Sequence, residues 1–355
     1  MPAMSGPLSA NPNPTSFDAG SLGNIYVTGA VSGLAFWQSN PVPGDHDSRI
    51  DLSNGQVFIQ KTDGLVQFFV RAGTYSLPTL GTPYLTAAKT VSDTYGAVPQ
   101  GYLKLASSDN FSVEIGKLPT LIGAEYAFTF ENMNIARGLL WAQEPTVSRG
   151  VQVNYNSGPF SLVLSLNDGF YSNRYNWISS SLGYTIDSAN SVSVVGGGNL
   201  SRTNYSSFTT PIAQNNGSIY NLIYTHTSGP WTISPYIQYS NVPADAALGI
   251  AHSASTIGGA LLASYAFDDN WKLAGRVEYI SASGHNVPGT PNLLYGPGSH
   301  ACSFTITPTY QQGIFYARAE ASYVTLGDAV SGDAFGRNFD KTNQTRLMFE
   351  TGVLF

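Results

Sequence analysis

The chain has 355 residues, only 11% of them charged, and a formal net charge of −6. Soluble domains carry about 25% charged residues, so a water-facing surface of this size would be short of charge, and 16 Lys plus Arg against 22 Asp plus Glu give nucleic acid no basic footprint. Cys302 is the only cysteine, which excludes an intramolecular disulfide framework and a cysteine metal cluster.

Residues 1–24, opening MPAMSGPLSANPNP, show neither a basic nor an apolar signal-peptide region. They read as an N-terminal periplasmic segment of a mature chain whose export signal is not in this numbering. The most apolar stretch, 257–267, is broken by Gly and Ser and is far shorter than the roughly 20 apolar residues of a membrane helix. A chain that crosses lipid without such helices must close into a barrel, which alone satisfies its backbone polar groups.

Alternation then recurs over 25–355 and predicts sixteen strands: near 25–37, 50–60, 64–76, 99–107, 110–118, 147–156, 159–168 and 176–187, then 190–201, 216–228, 231–241, 255–267, 271–282, 300–310, 313–326 and 344–355. Every second connection is short, such as Asp63-Gly64, Gly158-Pro159 and Gln312-Gly313, and the others are long and rich in Gly, Pro, Asn and Ser. This rhythm is that of an all-β, transmembrane antiparallel barrel, with short turns and both termini periplasmic and long loops outside. A soluble β-sandwich uses the same alternation, but its outer face would be charged, whereas the polar positions here are mostly Ser, Thr and Asn.

Successive side chains of a strand point to opposite faces. Trp271, Leu273, Val277 and Tyr279 share a lipid-type face, against Lys272, Arg276 and Glu278 on the other. Phe160, Leu162, Leu164 and Leu166 alternate likewise with Ser161, Val163, Ser165 and Asn167. Aromatics such as Phe160, Tyr184, Trp231, Trp271 and Tyr310 gather at strand ends, as in an interfacial girdle. The last strand sets Leu347, Phe349, Val353 and Phe355 on one face and ends on the aromatic Phe355. That ending resembles the C-terminal sorting signal of bacterial outer-membrane barrels, which implies the barrel assembly machinery as a partner during insertion.

The segment VPQGYLKLASSDNFSVEIGKLPTLIGAE (98–125), continued by NMNIARGLLWAQEPTVSRGVQVNY (132–155), resembles the OmpL-like β-barrel porin family. The resemblance implies a bacterial outer-membrane channel for passive diffusion of small hydrophilic solutes and ions, in contact with outer-membrane lipid and without a cofactor. Porins of this strand number are commonly homotrimers. The alternative is a plugged barrel that anchors or scaffolds a partner, and a third reading is an outer-membrane hydrolase.

Residues 119–146 lie where sixteen-stranded porins fold a loop inward, and they are expected to form a constriction loop carrying Glu125, Glu131, Arg137 and Glu144. Its apolar residues, among them Phe128, Phe130, Ile135 and Trp141, would be poorly placed in free solvent. An ordinary external loop is the other reading. Expected pore-lining charges are Arg71, Lys104, Glu114, Lys272 and Arg276, with Glu278, Arg318, Glu320, Arg346 and Glu350 completing the set. The wall from about 159 to 241 is expected to be neutral, with Ser165, Asn167, Ser179, Ser181 and Gln238. Basic wall residues opposite loop carboxylates would create a field across the lumen. Neutralisation along the wall, Arg276 with Glu278 and Arg318 with Glu320, is equally open. Asp45, Asp47 and Asp51 around His46 could hold a cation, but a solvated loop is the stronger reading. His46, His226, His252, His285 and His300 are scattered, and no nucleophile, base and orienting group converge.

Overall fold

A computed structural model describes Met4 and residues 6–355. Strand β1 is Thr15–Asp18, β2 Asn24–Gln38, β3 Ser48–Lys61, β4 Val66–Tyr75, β5 Gln100–Ser108 and β6 Phe111–Pro119. After the long third loop come β7 Val147–Ser157, β8 Phe160–Asn167, β9 Trp177–Thr185, β10 Asn190–Asn199, β11 Ser218–Ser228 and β12 Trp231–Val242. The last five are β13 Ala254–Ala266, β14 Trp271–Ala282, β15 His300–Gln312, β16 Phe315–Gly327 and β17 Asn343–Leu354.

From β2 onwards each strand pairs antiparallel with the next, and β17 pairs with β2, so sixteen strands close on themselves. Closure removes the unpaired edges that lipid could not hydrate. All sixteen lie within two or three residues of the segments predicted from alternation. Among the described residues no helix is long and apolar enough to span a membrane.

Strand β1 was not anticipated. Phe355 exchanges backbone hydrogen bonds with Gly29, where β17 runs out, and the lower edge of β2 would then be bare. Thr15–Asp18 pairs with Asn24–Val27 and covers it. Four residues of mixed polarity, TSFD, carry too short an alternation to announce a strand.

Phe160, Leu162, Leu164 and Leu166 on β8 are each about half exposed, and so are Val277 and Tyr279 on β14, while Arg276 and Glu278, which alternate with them, are buried. The apolar face thus points outward, where lipid replaces water as its solvent. Cross-strand aromatic pairs Phe160–Tyr184, Trp231–Tyr265 and Trp271–Tyr310, with centroids 4.7–5.0 Å apart, stand beside the short turns as one interfacial ring. Leu347, Phe349 and Phe355 also face outward.

Candidate functional site

The interior is organised around residues 119–146, which connect β6 to β7. From Ala127 to Thr146 every residue but Ala142 is buried. The segment packs against the inward faces of β3, β4 and β11–β17, and its charged groups meet wall residues directly. Arg276 donates to Glu125 at 2.5 Å and lies 3.2 Å from Glu278. Arg71 donates to Glu131 at 2.5 Å.

Wall carboxylates also grip the loop backbone. Glu278 accepts from the N–H groups of Leu139 and Leu140 at 3.0 and 3.2 Å, and Glu320 from those of Ile135 and Ala136 at 2.5 and 3.2 Å. Arg318 pairs with its cross-strand neighbour Glu350 at 2.5 Å and donates to the carbonyls of Asn132 and Thr129. Such charge-assisted bonds are stronger than neutral ones. Inside a dry contact they need these partners, because a buried ion left alone is strongly unfavourable.

Of the ten charges predicted to line the lumen, Arg71, Arg276, Glu278, Arg318, Glu320, Arg346 and Glu350 are therefore spent on the loops or on each other. The charges meet in contact and not across a water gap. Glu320 serves the loop backbone and not Arg318, whose carboxylate is Glu350; Arg276 does touch Glu278. Arg346 donates to the carbonyls of Thr79 and Thr82, tying down the second long loop. Lys104 and Glu114 remain partly exposed, 3.6 Å apart. Lys272 donates to the Pro7 carbonyl.

The chain's beginning takes part as well. Gln311 bonds both the N–H and the C=O of Ser9, at 2.7 and 2.8 Å. Leu8 is buried with Phe58, Phe130, Tyr316 and Leu354. Gly6 lies so close to the loop that a Cβ there would stand 2.2 Å from the Asn132 carbonyl oxygen.

Arg137 is buried, donates to the Ala127 carbonyl and lies 4.9 Å from the Trp141 ring centroid. Glu144 is buried, and neither carboxyl oxygen has a hydrogen-bond partner. Its carboxyl lies over Gly123, whose φ of +85° and lack of a side chain admit it; a Cβ would fall 1.9 Å from Oε2. Burial holds the Glu144 carboxyl well above the ordinary glutamate range, and nearby Glu125 and Glu278 add to the rise.

Asn134 escaped the sequence reading, and Gln238 and Arg71, expected only to line the wall, prove to anchor the loop. Gln238 donates to the Leu140 carbonyl and Asn134 to Thr307. Arg71 sits among Phe58, Phe69, Phe128 and Phe130, with centroids 4.1–5.6 Å away. The alternating aromatics of FTFE in the loop were the available signal, but their partners lie some 60 residues away in sequence. Asp45 accepts from Gln38 and the Tyr84 N–H, and Asp51 from the Tyr84 hydroxyl and the Ala87 N–H. Those carboxylates fasten the second loop, and among the described residues no cluster suited to a metal ion occurs.

Two cavities flank the loop. One of about 470 Å³ begins beside the short β3–β4 turn, at Thr62 and Gln67, and rises to Thr120 and Thr146. The other, of about 370 Å³, is walled by the long loops through Thr82, Tyr95, Phe208 and Pro211 and by Trp141 and Thr146. Thr146 borders both.

Residues 24–355 match the family model "Putative beta-barrel porin-2, OmpL-like". The chain belongs to this porin family. It is a β-barrel channel protein of the bacterial outer membrane. No curated protein matches it. Among solved structures, the porin is similar to the outer membrane channel DcaP of Acinetobacter baumannii, with a TM-score of 0.62 and 11% identity over 94% of this chain and 97% of that one. The loop L8 deletion mutant of OmpT, an outer membrane protein of Vibrio cholerae, gives a TM-score of 0.61 and 13% identity over 93% and 99%. Salmonella typhi OmpF in complex with daunomycin gives 0.59 and 11% over 94% and 98%. At these identities the likeness is one of fold.

Proposed function

We propose that the porin conducts small hydrophilic solutes and ions by passive diffusion along an off-centre route, with residues 119–146 as the constriction. The observation that carries this reading is the pair of cavities, one reaching towards each mouth, that share Thr146 in their walls. The route runs past β3–β9, where Lys61, Arg71 and Lys104 stand near one mouth and serines and asparagines follow further along the wall, because most of the loop's anchors lie on β12–β17. Ser165 and Ser179 each contact Asn167 there. The reading needs neither a cofactor nor a catalytic step.

Other proposed partners are outer-membrane lipid around the barrel and the barrel assembly machinery at the C-terminal strand. A homotrimer is the proposed assembly, which the mass of the detergent-extracted complex tests. Planar-bilayer recording tests the function. The wild-type protein should give discrete ohmic steps, and removal of roughly residues 126–142 should enlarge them. A correctly inserted protein without conductance would support the plugged-barrel alternative, and unchanged steps after deletion would refute the constriction.

A further inference from the structure

The chamber of about 470 Å³ beneath the constriction has the size of a small-molecule site. One wall is a ladder of cross-strand pairs between β4 and β5: Gln67 faces Lys104, Phe69 faces Tyr102, and Arg71 faces Gln100. Successive rungs are two residues apart, about 7 Å along the strand. An aromatic rung therefore lies between two rungs that each join a cation to an amide. The Phe69 and Tyr102 rings are 5.7 Å apart at 30° and offer an apolar floor.

The balance of charge in the lining is positive. Lys61, Arg71 and Lys104 border the chamber against a single carboxylate, Glu131, which Arg71 already holds. Lys61 is bound to Asp63 at the mouth. Lys104 is the loosely held cation: Glu114, at 3.6 Å, is beyond hydrogen-bond distance, and about a third of the Lys104 side chain is exposed.

We propose, resting on the diffusion reading above, that this chamber is a subsite for small organic acids. The carboxylate is taken by the Lys104 ammonium, and the apolar body lies on the Phe69–Tyr102 pair. A neutral molecule of the same shape would gain only the aromatic contact, and an amine would meet like charge.

Wild-type channels in planar bilayers at moderate salt separate these cases with three probes that share one ring: benzoate, benzyl alcohol and benzylamine. Benzoate should reduce the ion current at concentrations about tenfold lower than either other probe, the effect of one charge-assisted hydrogen bond. Lys104→Gln should remove that preference, whereas Lys104→Arg should keep it. Equal block by the three probes, stronger block by benzylamine, or a benzoate preference that survives Lys104→Gln would overturn the subsite while the channel reading stands. Absence of any conductance would overturn the channel reading and the subsite with it. The wild-type comparison decides the matter even if a variant does not insert.

Discussion

Replacing Arg276 by Met tests whether ion pairs hold the third loop in place. Arg276 is fully buried, bonds Glu125 of the loop at 2.5 Å, lies 3.2 Å from Glu278, and donates to the Ala136 carbonyl at 2.9 Å. Without it, Glu125 keeps the Gly138 N–H, and Glu278 keeps two loop N–H groups and the Ser303 hydroxyl. Two carboxylates would then share one dry pocket without the cation that pairs with both. Removing one partner of a buried pair costs about 3–5 kcal/mol. At about 1.4 kcal/mol per tenfold, the ratio of docked to released loop should fall by roughly two to three and a half decades. Single-channel recording should then show flicker between the wild-type conductance and a larger one. The temperature at which the barrel loses its compact mobility on gels should also fall. Adding Glu125→Gln and Glu278→Gln to Arg276→Met removes the stranded charges and should restore much of the steady current. A single, quiet conductance level in Arg276→Met, with an unchanged transition temperature, would refute the idea that this cluster anchors the loop.

Glu144, buried without a partner, is tolerated in the docked loop as a neutral acid and penalised once ionised. Its folded-state value is raised, so the stability of the docked loop is intact at low pH and lost as pH rises through that value; wild-type current should become noisier in alkali, and Glu144→Gln should abolish the change. Leu164→Arg places a charge on the lipid face at about 2–4 kcal/mol and should impair folding into vesicles, whereas Ser181→Lys, directed inward, should insert normally; equal impairment would overturn the assignment of faces. Removing residues 1–12 loses the Leu8 burial, about 1.5–3 kcal/mol, and the Gln311 clamp on Ser9. Conductance should increase, and an unchanged value would show that this segment does not narrow the route.

Sequence by itself determined the barrel. A period of two over about ten residues, repeated sixteen times between short and long connections, fixes strand number, faces and the side of each turn, because side-chain alternation is a local property of an extended chain. The inward positions of Arg276, Glu278, Arg318 and Glu350 were legible for the same reason. The burial of most of residues 127–146 was legible in part, since Phe128, Phe130, Ile135 and Trp141 are too apolar for a solvated loop.

Only the tertiary structure decided what those charges do. Alternation says that Glu320 points inward, but not that it meets the Ile135 and Ala136 N–H groups instead of Arg318. Nor could it show that Ser9 reaches Gln311 across 302 residues. Such pairings follow from closure, which brings strands distant in the chain around one interior, and irregular backbone in a dry interior must find its hydrogen-bond partners wherever the wall offers them. Sequence periodicity records which face a residue occupies; it carries no record of what stands opposite.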